Sequence, residues 1–276
     1  MTSTSGNGTA YDLVGPNTAP AVVLIHGLGL TRQTWDGHVA ALAERYRVLR
    51  YDLFGHGASA PPPETPSLTV FSRQLRELLD ELGVERCALV GFSLGGMINR
   101  RFAMDHPDRV SALGILNSPH ERSPEAQRLV EERAAKTSAG GPGATLDATI
   151  ERWFTPAFRT QRSEVIAQVR HWVLANDPEI YAQCRTVLAN GVLELIRPQP
   201  PIAHPTLVMT CENDSGSTPA MTQAIASEIA GARAIVVPRL QHMGLVEQPA
   251  LFTGPVLRFL DDVLQVPEAV DKGKRA

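Results

Sequence analysis

Cysteine is scarce in this sequence. Only three occur in 276 residues, Cys87, Cys184 and Cys211, an odd and widely scattered set. That count argues against a disulfide framework, fits reduced thiols, and offers no pair at metal-ligand spacing. Long apolar runs are missing too, since no stretch approaches the roughly 18 residues needed to span a bilayer. The polar start, Met1 to Thr9, lacks the charged and apolar regions of a secretory signal. No basic run appears before Lys272-Gly273-Lys274-Arg275, and a net charge of -3 argues against a nucleic-acid footprint. The expectation is a cytoplasmic protein whose partner is a small molecule rather than a membrane or nucleic acid, with no cofactor implied and homo-oligomerisation left open.

What is present is ordinary for a globular protein: 43% hydrophobic and 20% charged residues, in a chain long enough to bury a full core. Ala21 to Ile25, Tyr46 to Tyr51, Cys87 to Gly91, Val110 to Leu116, Thr206 to Thr210 and Ala234 to Val237 read as strands. Helical spacing falls between them, as at Leu68, Phe71, Leu75, Leu78 and Leu82, a stripe that stops at Gly83. Alternation of this kind builds a mostly parallel, doubly wound sheet of the α/β class, flanked by helices, whose ligands sit beyond the carboxyl ends of the strands.

The rhythm breaks between Pro119 and about Pro201. Ser123 to Ala139, Thr145 to Phe154, Ser163 to Ala175 and Pro178 to Leu195 read as consecutive helices, with a Gly140-Gly141-Pro142-Gly143 joint. An all-helical insertion after the sixth core strand is best explained as a cap over the active face, with the glycine joint as a hinge. The division is then a core of residues 1–118 and 202–266, a helical cap of 119–201, and a flexible tail of 267–276.

Within the core, Gly91-Phe92-Ser93-Leu94-Gly95 is a strand, a sharp turn with serine at its apex, and a helix. Small residues are needed where strand and helix approach so closely. The Leu94 N–H then points from the helix N-terminus at the same space as the serine hydroxyl. His26-Gly27-Leu28-Gly29 follows another buried strand and can turn the Leu28 N–H toward that space as a second oxyanion donor.

A serine hydroxyl is protonated at neutral pH, so a base must take its proton during attack. His242, in Gln241-His242-Met243-Gly244, suits that task. The imidazole becomes cationic in the transition state and needs a carboxylate at its other nitrogen. Asp214, in Cys211-Glu212-Asn213-Asp214, is the candidate. Asn117 also ends a strand, but it has no charge with which to stabilise an imidazolium. Asp52 and His56 lie together in a glycine-rich loop, where their closeness serves turn geometry rather than catalysis. His106 and His204 precede prolines, and His171 lies inside a helix.

His26-Gly27-Leu28-Gly29, Asp52-Leu53-Phe54-Gly55-His56-Gly57, Gly91-Phe92-Ser93-Leu94-Gly95-Gly96, Asp214 and His242-Met243-Gly244-Leu245-Val246-Glu247-Gln248-Pro249 together resemble the α/β-hydrolase superfamily over about residues 11 to 264. The resemblance implies the α/β-hydrolase fold, a triad of Ser93, Asp214 and His242, and oxyanion donors at Leu28 and Leu94. Within the superfamily the chain is most similar to 3-oxoadipate enol-lactonases. The carriers are Tyr51-Asp52 with its following loop, Gly95-Gly96-Met97-Ile98, and Arg152-Trp153-Phe154-Thr155-Pro156-Ala157-Phe158 with Asp177-Pro178 and Tyr181. It departs at His26 and between Pro119 and Ala148.

That likeness implies a serine hydrolase acting on a small anionic ester or enol-lactone in aromatic-compound breakdown. The alternatives are carbon–carbon bond hydrolysis of a ring-fission product and a non-turnover ligand-binding protein on the same scaffold. The helical segment is rich in arginine, which binds carboxylates bidentately. Most of these arginines are expected on solvated helix faces. Arg152, beside Trp153 at a helix end, is the candidate for the substrate's acid group, with Trp153 and Trp172 as candidate pocket walls.

Overall fold

A computed structural model describes residues 2–264, so the expected tail of 267–276 lies outside the described residues. The eight strands are β1 (Ser3–Thr4), β2 (Ala10–Val14), β3 (Ala21–Ile25), β4 (Arg47–Tyr51), β5 (Cys87–Phe92), β6 (Val110–Leu116), β7 (Thr206–Cys211) and β8 (Arg233–Val237). They form one sheet in the order β1-β2-β4-β3-β5-β6-β7-β8. From β4 to β8 every pairing is parallel, whereas β1 and β2 add an antiparallel edge.

Burial explains which strands the sequence announces. All six residues of β5 and of β7 are buried, and so are four of the five in β3. Continuous apolar runs are what a sheet covered on both faces requires. Strand β2 has the mixed sequence Ala-Tyr-Asp-Leu-Val and an intermediate burial pattern, and it forms because β4 offers a free edge, pairing Tyr11 with Tyr51. No periodic run marks it, so the sequence pattern does not announce it.

The helices are α1 (Asp36–Ala43), α2 (Leu68–Glu81), α3 (Leu94–Asp105), α4 (Pro124–Gly140), α5 (Leu146–Trp153), α6 (Pro156–Gln161), α7 (Ser163–Leu174), α8 (Pro178–Asn190), α9 (Pro219–Glu228), α10 (Gly244–Glu247) and α11 (Ala250–Leu264). Helix α2 begins where the Ser67 hydroxyl accepts from the Val70 N–H, and it buries Leu68, Phe71, Leu75 and Leu78. Gly83, just past its end, takes a φ of +62°, as a helix C-terminus favours. Helices α4 to α8 all fall between β6 and β7, and no described residue of that stretch is in a strand. Helix α6 lies where the sequence pattern suggests only a connection. It starts at Pro156 behind Thr155, whose hydroxyl accepts from the Phe158 N–H.

The three cysteines are buried free thiols. Two buried histidines stand apart from the site described below. His38 Nε2 donates to the Leu245 carbonyl at 3.0 Å, and its Nδ1 lies 2.7 Å from Thr253 Oγ1. Burial lowers its pKa to about 4. Burial, aided by His26, lowers His56 to about 3. Below about pH 6.5 the unfolded chain takes up protons that these folded-state imidazoles refuse. Stability therefore declines as pH falls from about 6.5 toward the folded values, by about 1.4 kcal/mol per pH unit for each histidine. Urea midpoints measured between pH 7.5 and 4.5 should show this acid slope. His38→Gln should flatten it by one histidine's share, whatever that substitution does at neutral pH.

Candidate active site

Strand β5 delivers Ser93 to the carboxyl edge of the sheet, and α3 starts at the next residue. Ser93 sits at φ 55° and ψ −113°, a conformation that side-chain-bearing residues rarely adopt. Its neighbours explain how it is held. A Cβ on Gly91 would lie 2.1 Å from the Gly95 carbonyl oxygen, and one on Gly95 would lie 2.2 Å from that of Ile25. Helix and strands therefore meet backbone to backbone. The Ser93 N–H donates to Leu116 O at 2.8 Å, while the Ser93 carbonyl accepts from Gly96 N and from Ser118 Oγ, each at 3.0 Å. The strained residue is thus fixed on both sides.

His242 lies in the loop between β8 and α10. Its Nε2 is 3.2 Å from Ser93 Oγ, and its Nδ1 is 2.7 Å from Asp214 Oδ2. The ring rests between Phe92 and Trp153, with ring centroids 4.9 and 5.9 Å away. The Met243 N–H donates to the Trp153 carbonyl at 2.8 Å, which ties this loop to the end of α5.

Asp214, just beyond β7, has both oxygens occupied. Oδ2 accepts from His242 and, at 2.9 Å, from Asn117 Nδ2; Oδ1 accepts from the Gly216 and Ser217 N–H groups, both at 2.9 Å. Burial pushes this carboxyl up. The interaction with His242, by charge and by hydrogen bond, and the hydrogen bonds from Asn117 and the Ser217 N–H together outweigh burial and hold its pKa below the usual value. Asp214 therefore stays ionised at neutral pH. Asn117, which the sequence excludes as a triad acid for want of a charge, donates instead to the Asp214 carboxylate.

The loop after β3 lies directly on the elbow, because a Cβ on Gly27 would come within 3.1 Å of Phe92 Cδ1 and 3.2 Å of Ser93 Cβ. His26 braces this loop from beneath. Its Nδ1 donates to Gly27 O at 2.8 Å and its Nε2 accepts from the Leu53 N–H at 3.0 Å. Among the described residues no internal hydrogen bond uses the N–H of Leu28 or of Leu94. Helix α3 adds its N-terminal dipole at Leu94. Asp52 is engaged elsewhere: it accepts from the Arg32 N–H at 2.7 Å, the Ala58 N–H at 2.9 Å and the Arg32 guanidinium. The Asp52 and His56 loop is structural, as its turn chemistry indicates.

Above Ser93 lies a cavity of about 80 Å³, lined in part by Gly27, Leu28, Trp153 and His242. Arg152 lines it as expected. So do Arg122, Arg133 and Arg185, for which the sequence suggests only solvated faces. Nothing local marks those three, because what brings them together is the packing of α4, α5 and α8. Trp172 does not line the cavity; its carbonyl accepts from Asn176 Nδ2 at 2.7 Å.

The sequence that builds this sheet matches a known family. The family model described as "Alpha/beta hydrolase family" matches residues 22–253. The chain belongs to the α/β-hydrolase family. It is an α/β-hydrolase enzyme, as its relatives are. It is 28% identical over 247 residues to 3-oxoadipate enol-lactonase 2 of Acinetobacter baylyi, covering 89% of this chain and 90% of that protein. It is 27% identical over 252 residues to the putative carbamate hydrolase RutD of Variovorax paradoxus, covering 91% and 95%. The crystal structure of the enol-lactonase from Burkholderia xenovorans LB400 superposes with a TM-score of 0.84 at 33% identity, covering 92% of this chain and 97% of that one. No helix among the described residues of this hydrolase is long and apolar enough to cross a membrane.

The packing at the elbow yields a stability test on this hydrolase. Gly95→Ala forces a methyl group against the Ile25 carbonyl and should cost about 2 kcal/mol or more in urea unfolding. An alanine at Gly83, whose Cβ would meet nothing within 4 Å, should cost less, the strain of its positive φ alone.

Proposed function

We propose that this protein is a serine hydrolase of small anionic esters or lactones, in the manner of an enol-lactonase, with Ser93 as nucleophile, His242 as general base and Asp214 as its orienting carboxylate. The observation that carries the reading is the continuous chain from Ser93 Oγ through His242 to Asp214, at 3.2 and 2.7 Å, opening on the cavity.

In this mechanism His242 Nε2 takes the Ser93 proton as Oγ attacks the carbonyl carbon. The tetrahedral oxyanion is received by the Leu28 and Leu94 N–H groups, a kind of donor whose loss costs roughly a hundred- to a thousandfold in rate. Asp214 fixes the imidazole tautomer and stabilises the imidazolium. The imidazolium then protonates the leaving oxygen, the acyl group remains on Ser93, and His242 activates water to release the acid. A cavity of about 80 Å³ suits a compact substrate rather than a long acyl chain. Arg152 and Trp153 at its wall fit an acid group and the flat body of such a molecule. The names of the relatives, an enol-lactonase and a carbamate hydrolase, support acyl transfer to water.

Two measurements test the assignment. Ser93→Ala should abolish turnover of p-nitrophenyl acetate while leaving the far-UV circular dichroism spectrum unchanged; undiminished turnover would overturn the nucleophile. Asp214→Asn should lower kcat by about 10³ to 10⁴, the loss expected when the imidazole is no longer held in its working tautomer.

A further inference from the structure

Four arginines line the cavity above Ser93: Arg122, Arg133, Arg152 and Arg185. They come from separate elements, Arg122 just before α4, Arg133 within it, Arg152 in α5 and Arg185 in α8. Other arginines of the helical segment pair with acids. Arg128 bonds Glu132, and Arg162 with Glu164 and Arg170 with Asp147 each close to 2.5 Å. Among the described residues none of the cavity arginines makes an ion pair. Arg122 donates to Ala189 O at 3.0 Å and Gln127 Oε1 at 3.1 Å, Arg152 to Thr149 Oγ1 at 3.4 Å, and Arg185 to Tyr181 Oη at 3.4 Å. The Arg133 guanidinium has no hydrogen-bond partner there.

This grouping is unfavourable by itself. Arg185 is only 7% exposed. Burial, followed by the charges of Arg133 and Arg185, lowers Arg152 to about 10, so it remains charged at neutral pH while bearing the cost of crowding. Burial and Arg185 lower Arg133 as well. Among the described residues the sole acid lining the cavity is Asp214, whose charge offsets part of the crowding at Arg152 but whose oxygens are both taken. Packed like charges with so little counter-charge cost free energy that a bound anion relieves.

The number and placement of these charges bear on the guest. One carboxylate engages one guanidinium bidentately and leaves the others uncompensated. Arg152 stands beside the turn that holds Asp214, its Nη1 3.9 Å from where a Gly216 Cβ would be. Arg185 stands beside Tyr181, whose ring packs on Gly29 at the end of the oxyanion loop, 2.8 Å from where that glycine's Cβ would be. The cations thus reach the cavity wall from different elements, and three planar forks offer more bidentate sites than one carboxylate fills, which suits two acid groups.

We propose that the substrate is a dianion, a small ester or lactone carrying two further carboxylates, held by Arg133, Arg152 and Arg185 around the reacting carbonyl. The ester part of this statement rests on the serine-hydrolase reading; the anion site does not.

Calorimetric titration of Ser93→Ala protein separates the two. Butyrate, succinate, glutarate, adipate and inorganic phosphate serve as probes that bind without turnover. At least one dicarboxylate should bind ten times more tightly than butyrate and more tightly than phosphate. Adding Arg133→Gln should shrink that gap to under threefold, Arg133→Lys should keep most of it, and Arg128→Gln, outside the cavity, should leave it intact. Dicarboxylates no tighter than butyrate, phosphate tighter than every dicarboxylate, or a gap indifferent to Arg133→Gln would each overturn the proposal. None of these results bears on ester turnover by the wild type, so the hydrolase reading stands or falls on its own assay.

Discussion

Everything at the active edge of this protein depends on a contact that no side chain could share: the backbone of Gly95 against the carbonyl of Ile25. That contact lets α3 start immediately after β5 and press against β3. It forces Ser93 into a positive φ and brings the loop carrying Leu28 to within van der Waals reach of Ser93 Cβ. The strain at Ser93 is held by hydrogen bonds to the end of β6 and the residues just beyond it, through Leu116 O and Ser118 Oγ. Steric closeness at one glycine thus sets the position of the proposed nucleophile and of the proposed oxyanion donors at the same time.

Asp214 plays the corresponding part for the imidazole. Four donors converge on its two oxygens, from His242, Asn117, Gly216 and Ser217, and keep a nearly inaccessible carboxylate charged. A buried charge satisfied on every side is rigid, and it fixes the direction of His242 Nδ1. The Trp153 carbonyl, holding Met243 N, then couples that imidazole to the helical segment. Any displacement of α5 therefore reaches His242 directly. Arg152 and Trp153, on the same turn of the same helix, link the cavity wall to the chemistry below it.

Charge is handled differently around the site. Beneath the cavity Arg32 is balanced by Asp12 and Asp52, while the buried Arg100 donates to the neutral oxygens of Gly96, Ser118 and Pro119. Around it, among the described residues, cationic side chains from three helices make no ion pair. A protein of net charge -3 has carboxylates to spare, so their omission here is a property of this cavity rather than of composition.

The sheet and the elbow are legible in the sequence because both depend on local pattern. Continuous apolar runs at Ala21 to Ile25 and Cys87 to Gly91 can serve only as buried strands, and glycines flanking Ser93 answer a steric demand within a few residues of themselves. Chain order places Asp214 and His242 at strand ends, and the fold sets them in line with Ser93. Strand β2 and helix α6 are not legible in this way because neither has a periodic core face; the free edge of β4 and the Thr155 cap make them. Tertiary structure alone decided the work of Asn117 and the company kept by Arg152. A donor to Asp214, or a guanidinium without a partner, is defined by residues distant in sequence, and no spacing in the sequence encodes which helices will pack around one cavity.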